Sequence, residues 1–146
     1  MSLLTPAQSA VFTSVMKGNS VIWLAGRQEG KTFIGARCLD AVGGVMVAGN
    51  SKQKDTNKQN YPDLYHYAPY NIKIMIRENP DYKPPQLVVF DNFEMYDYDT
   101  LMDMLKVDAA QKLYLASYWS RTSLDSNKYE IAVAALRARG TKLFST

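Results

Sequence analysis

Short, wholly apolar runs alternate with helix-length segments along this chain, and that alternation restricts its fold more than any other feature. VIWLA at 21–25, VMVAG at 45–49, LVVFD at 87–91 and KLYLAS at 112–117 are the clearest runs. Apolar character without polar alternation suits strands covered on both faces, as in a parallel sheet. Residues 6–17 read as a helix, with Thr5 able to cap it, Pro6 in its first turn and Ala10, Val11 and Val15 sharing a face. Further helices are expected at about 31–41, with Phe33, Ile34, Arg37, Cys38 and Ala41 at helical spacing, at 98–106, and at 125–139 with Ile131, Ala132, Ala135 and Leu136 inward. The polar, Tyr-rich stretch from 52 to 67 reads as a helix interrupted by Pro62, IKIMI at 72–76 as a strand with one wetter face, and TKLFS at 141–145 as a last strand. Strands alternating with helices give an α/β fold: a three-layer αβα arrangement around a mainly parallel central sheet, in one domain over 1–146.

The composition removes several classes. One cysteine cannot form an intramolecular disulfide, and it fits a reducing, cytoplasmic compartment. No apolar run is long enough to span a membrane, and MSLLTPAQSA lacks the pattern of a secretory signal. A net charge of +3 says little about partners, but the charge is unevenly placed. Lys52, Lys54 and Lys58 cluster in SKQKDTNKQN, whereas Asp91, Glu94, Asp97, Asp99, Asp103 and Asp108 face a single Lys106 within 91–108.

The segment richest in chemistry is Ala25-Gly26-Arg27-Gln28-Glu29-Gly30-Lys31-Thr32, between the first apolar run and the following helix. That placement suits a phosphate-binding loop. Backbone N–H groups of such a turn and of the helix start gather partial positive charge. Gly30 lets the backbone approach a phosphate closely, Lys31 can reach the β- and γ-phosphates, and Thr32 can place its hydroxyl on Mg²⁺. Ala25 stands where the pattern usually has Gly. Asp91, closing LVVFD, is the candidate metal-holding acid, at the strand edge where ligands bind in open α/β sheets. The residue after it is Asn92, which cannot take a proton. Glu94 is therefore read as the general base, with Asn92 as a water-orienting alternative. Ser117, at the end of KLYLAS, either senses a γ-phosphate or satisfies a strand-end backbone group.

With these residues in view, the sequence resembles the ATPase domain of phage terminase large subunits, DNA-packaging motors related to superfamily 2 helicases. The resemblance rests on Leu4-Thr5-Pro6-Ala7-Gln8, on Trp23-Leu24-Ala25-Gly26-Arg27-Gln28-Glu29-Gly30-Lys31-Thr32, on Val47-Ala48-Gly49-Asn50-Ser51-Lys52-Gln53, and on Leu115-Ala116-Ser117, and its strength is concentrated in 21–32 and 87–94. It implies a RecA-like P-loop NTPase of the ASCE type, which has an added strand between the P-loop strand and the Walker B strand. It further implies ATP and Mg²⁺ as ligands, ATP hydrolysis stimulated by a partner or DNA, and work as a viral motor in a host cytoplasm. By the same resemblance Gln8 reads adenine, Arg27 acts as a trigger or finger residue, and Leu115–Ser117 couples hydrolysis to movement. From chemistry alone Arg27 equally shapes the loop or meets the phosphates. The partners implied are DNA and other motor subunits or a viral portal, with oligomerisation open. Terminases have Asp-Glu where this chain has Asp91-Asn92, which leaves an alternative function: a nucleotide-gated module that binds protein or nucleic acid with little or no hydrolysis.

Other features have two readings each. Tyr61, Tyr65, Tyr67 and Tyr70 with His66 and the nearby lysines suit stacking on single-stranded nucleic acid, or ordinary packing under a loop. Asp97 and Asp99 suit a helix cap better than a second metal site. Arg137 and Arg139 suit a helix C-terminus better than inter-subunit fingers. Cys38 reads as core.

Overall fold

Burial on both faces decides the centre of the molecule. In the computed structural model, which describes residues 3–26, 28–76, 78, 80–117 and 126–145, the apolar runs form one six-stranded sheet with every pairing parallel. In chain order the elements are α1 (Pro6–Met16), β1 (Val21–Ala25), α2 (Lys31–Val42), β2 (Gly44–Val47), α3 (Ser51–Asn60), β3 (Tyr65–Tyr67), a 3-10 helix (Pro69–Met75), β4 (Leu87–Phe90), a 3-10 turn (Phe93–Met95), α4 (Tyr98–Met104), β5 (Gln111–Ser117), α5 (Ser126–Ala138) and β6 (Lys142–Ser145). The strand order is β3-β2-β4-β5-β1-β6. β5 therefore lies between β1 and β4, the two strands that lead into the candidate loop and the candidate acid.

Successive side chains on each strand go to opposite faces. Val21, Trp23, Met46, Val89, Leu113 and Leu115 pack with Val11 and Val15 of α1 and Ile34, Cys38 and Leu39 of α2. Ile22, Leu24, Val47, Val88, Phe90 and Tyr114 pack on the other face with Leu101 and Met104 of α4 and Ala132 and Leu136 of α5. Helices thus cover both faces. α2 lies close to the sheet at Gly35, where a Cβ would come within 2.9 Å of Val89 Cγ1. α1 carries the cap its sequence suggests: Thr5 Oγ1 accepts from Gln8 N at 3.1 Å, and Gln8 Oε1 accepts from Thr5 N at 3.0 Å. A buried amide secures the other end of α1. Gln111 Nε2 donates to Val15 O at 2.8 Å and Asn19 O at 3.1 Å.

Three sequence expectations are corrected. Residues 72–76 form no strand; Pro69–Met75 is a 3-10 helix. Ile72 and Met75 are both buried, and a spacing of three fits a 3-10 turn, so the apolar pattern had two solutions. Asn71 Oδ1 accepts the Ala68 N–H at 2.9 Å and holds the start of that turn. The helix expected to reach residue 67 ends at Asn60, and Tyr65–Tyr67 becomes an edge strand on β2. Tyr61 precedes Pro62 and takes φ −134° and ψ 66°, outside the helical region that a following proline disfavours. Ile131, expected inward, is 56% exposed, and on α2 Arg37 and Ala41 are exposed while Gly35 and Leu39 lie inward.

The loop after β4 is clamped by aromatic rings. Phe93, with no exposed surface, stacks on Tyr129 at 5.3 Å between centroids and meets Tyr114 edge-on at 6.2 Å, while Tyr114 stacks on Phe90 at 5.1 Å. Phe93→Ala is expected to destabilise the fold by about 3–5 kcal/mol, read as a lower urea midpoint at unchanged slope.

Candidate functional site

The loop from β1 to α2 turns on two left-handed residues, Gln28 at φ 63° and Gly30 at φ 75°. Left-handed residues in a turn can gather backbone N–H groups into an anion-sized concavity. Gly30 is also the N-cap of α2 and supplies no side-chain hydrogen bond, so the first-turn N–H groups have no side-chain cap. A Cβ at Gly30 would sit 2.5 Å from Gln8 Nε2. That amide donates to Glu29 O at 3.0 Å. Gln8 is therefore a strut between α1 and the loop, with both ends of its side chain engaged. Arg27 lies outside the described residues.

Lys31 is 7% exposed. Its Nζ donates to Gly26 O at 2.8 Å and lies 3.5 Å from Ala25 O, so the side chain folds back over the loop. Burial pulls its pKa down, while the charges of Glu94, Asp91 and Glu29 push it up. Thr32, next in sequence, donates from Oγ1 to Asp91 Oδ2 at 2.7 Å. This bond joins the start of α2 to the residue that follows β4.

Asp91 has no exposed surface. Burial raises its pKa, against hydrogen bonds from Thr32 and Asn57, the Lys31 charge and the Asn92 backbone. Its Oδ2 also has Gln53 Nε2 and Asn57 Nδ2 at 3.4 Å each. Its Oδ1 is buried with no hydrogen-bond partner. Asn92 follows in a left-handed conformation, φ 54° and ψ 47°. Its Cβ lies against Gly49, where an added Cβ would come within 3.0 Å. Glu94, half-buried, has its pKa raised to about 7 by burial. Backbone N–H groups of Glu94 and Ser117 and the Lys31 charge oppose that rise, and Asp91 adds to it. Glu94 Oε1 is buried without a partner, as is the hydroxyl of Tyr96, whose pKa is pushed up by burial and by the charges of Asp91 and Glu94. Ser117 ends β5 in register with Ala25, so its backbone bridges the loop and Glu94.

The remaining candidates fall elsewhere. Asp97 caps α4, its Oδ1 accepting from Thr100 N at 2.8 Å. Among the described residues no group of three or more His, Cys, Asp or Glu side chains gathers as a metal centre. Arg139 Nη1 donates to Leu105 O at 2.7 Å and ties the end of α5 to α4. Cys38 is buried, and burial pushes its thiol up to about 12. His66 Nε2 lies 2.8 Å from Tyr61 O. Tyr65 and Tyr70 are 72% and 68% exposed, while Tyr61 and Tyr67 are half-buried. Among the described residues no helix is long and apolar enough to cross a membrane. Sequence reading missed Gln53 and Asn57; an i, i+4 amide pair in a helix without apolar residues was the available signal. Neither a protein-family model nor a curated protein matches this sequence.

The Glu94 carboxyl makes stability depend on pH in a defined direction. Its pKa is raised from an ordinary 4.5 to about 7, so between those values the folded chain holds a proton that the unfolded chain has lost. Stability from this group is greatest at low pH and falls as pH rises through that window. Glu94→Gln carries no such proton. Urea unfolding at about pH 5 and about pH 8 should show a smaller fall for Glu94→Gln than for the wild type; equal falls would contradict the assignment.

Proposed function

We propose that this chain is a P-loop NTPase domain of the ASCE type that binds ATP with Mg²⁺ and hydrolyses it. The observation that carries this reading is the 2.7 Å hydrogen bond between Thr32 Oγ1 and Asp91 Oδ2. It pairs the hydroxyl after Gly30-Lys31 with a carboxylate at the end of a buried strand. Both chemistries are needed where a triphosphate and its metal are held together. The strand order supports the ASCE form, since β5 separates β1 from β4. The residues also fit the metal. Mg²⁺ takes hard oxygen ligands, commonly one or two carboxylates with phosphates, and Asp91 Oδ1 is a buried acceptor without a partner. Thr32 and Asp91 would hold the ion, which when bound neutralises charge on the β- and γ-phosphate oxygens.

The chain's own groups have distinct tasks in this reading. The left-handed turn at Gln28 and Gly30, with Ala25, Gly26 and Glu29 around it, presents backbone to the phosphates. Lys31 exchanges the Gly26 carbonyl for a phosphate oxygen. Glu94 accepts a proton from the attacking water; that oxygen bonds to the γ-phosphorus, the bond to the β–γ bridging oxygen breaks, and ADP and phosphate leave. Asn92 can orient the water but not take its proton. DNA is the partner in this proposal. Lys52, Lys58, Tyr65 and Tyr70 are exposed on the segment that follows β2. Phosphates on the lysines and bases on the rings would suit them. Membership of a viral packaging motor is part of the same proposal and rests on the resemblance of residues 21–32 and 87–94.

Phosphate release, measured with and without duplex and single-stranded DNA at two salt concentrations, tests the reading. Turnover is expected, with DNA stimulation that weakens as salt rises. Lys31→Ala should lose at least about 100-fold, and Glu94→Gln about 10²–10⁴-fold. Full turnover by Glu94→Gln would remove the base assignment. ATP binding without turnover in the wild type would favour the nucleotide-gated binding module, the reading that Asn92 after Asp91 supports.

A further inference from the structure

α3, SKQKDTNKQN, contains no apolar side chain. A surface helix normally holds to its sheet by an apolar stripe; this helix has none, and its attachment is polar. Asn57, 4% exposed, is the one residue of α3 that is buried. Its Nδ2 lies 3.4 Å from Asp91 Oδ2 and 3.6 Å from Met46 Sδ. One turn earlier Gln53 Nε2 lies 3.4 Å from the same carboxylate oxygen, and Gln53 Oε1 accepts the Gly49 N–H. Asn50 caps the helix, accepting from Gln53 N at 2.7 Å. The i, i+4 spacing puts both amides on one face. With Thr32, three side-chain donors gather on Oδ2, while Oδ1 has no hydrogen-bond partner.

We propose that Gln53 and Asn57 are positioning residues: their amides fix the Asp91 carboxylate so that Oδ1 is the oxygen offered to a cation, and they make the docking of α3 depend on that carboxylate. The inference rests on the Mg²⁺-ATP reading above and adds to it a link between the metal site and an outer helix. Amide contacts of 3.4 Å are long, so α3 is softly held. A cation on Oδ1 draws charge from the carboxylate and weakens Oδ2 as an acceptor, which loosens the amides. Lys52 and Lys58 are exposed on the same helix. Any polyanion bound to them is then coupled to the metal site, and the coupling acts equally in both directions.

The test compares the full-length wild type with Gln53→Ala, Asn57→Leu and the double variant. Asn57→Leu keeps the buried volume and removes the donor; Gln53→Ala is at a half-buried position, so at least one variant should fold. Three measurements are made: hydrogen exchange at 51–60 without nucleotide, ATP affinity in EDTA, and the Mg²⁺ concentration for half-maximal turnover. Exchange at 51–60 should quicken at least about tenfold in the variants, as hydrogen bonds to a charged group are lost, with the strands unchanged. The Mg²⁺ requirement should rise about 10–100-fold, the usual cost of removing a partner of a metal ligand, with ATP affinity in EDTA unchanged. A merely structural role would not separate those two readouts. Wild-type exchange at 51–60, or a wild-type Mg²⁺ requirement, would overturn the proposal. Should the wild type take up no ATP, the ATPase reading fails by itself, and Mg²⁺ alone becomes the probe. Exchange at 51–60 that rises with Mg²⁺ in the wild type and not in the double variant would then support the amide link, and no response in the wild type would overturn it.

Discussion

A carboxylate with no contact to solvent is the constraint around which the C-terminal edge of the sheet is arranged. An unpaired charge buried in protein costs several kcal/mol, so Asp91 must be met by donors or give up its charge. The donors come from two elements distant in sequence: Thr32 at the start of α2, and Gln53 and Asn57 on α3. Lys31 adds its charge. The start of α2 and the placement of α3 both meet this one group. Half of it remains unmet, because Oδ1 has no partner. A core built for stability alone would avoid such an atom, and the proposed Mg²⁺ site would use it.

The charges of the site lean on one another. The Asp91 charge raises the pKa of Glu94, and Lys31 lowers both. Burial pulls the pKa of Lys31 down, and the charges of those same acids push against that shift. In the present state its ammonium rests on the Gly26 carbonyl, a contact within the loop. An anion entering the turn would find a lysine that must only exchange one oxygen for another. Phe93 gives this arrangement its rigidity, since its ring is locked between Tyr114 and Tyr129 while its neighbours Asn92 and Glu94 project from the same short turn.

The parts of the structure legible in the sequence are those governed by local rules. Fully apolar strands, the Thr5 cap, the Asp97 cap and the glycine turn before Lys31 each need only a few neighbouring residues to be read. Where one pattern had two solutions, local reading failed. Ile72, Ile74 and Ile76 alternate like a strand, but Ile72 and Met75 fit a 3-10 turn equally well, and Pro69 with Asn71 decided for the turn. The helix 52–67 failed because propensity shows where Pro62 ends a helix but not that Tyr65–Tyr67 join a sheet edge. Ile131 stayed outside because α5 uses Tyr129, Ala132 and Leu136 for its contacts. Thr32 and Asp91 are 59 positions apart, and only strand order brings them together. Local rules do not single out the amides of α3, because a polar helix is normally solvated. Their purpose is visible only once the buried carboxylate beneath them is known.

Titration calorimetry of the wild type and Asp91→Asn with ATP, in EDTA and again with Mg²⁺, addresses the central claim most directly. The wild type should bind ATP more tightly with magnesium than without it, and Asp91→Asn should lose that gain while still binding ATP in EDTA. Absence of ATP binding by the wild type in both buffers, or the same magnesium gain in Asp91→Asn, would contradict the account.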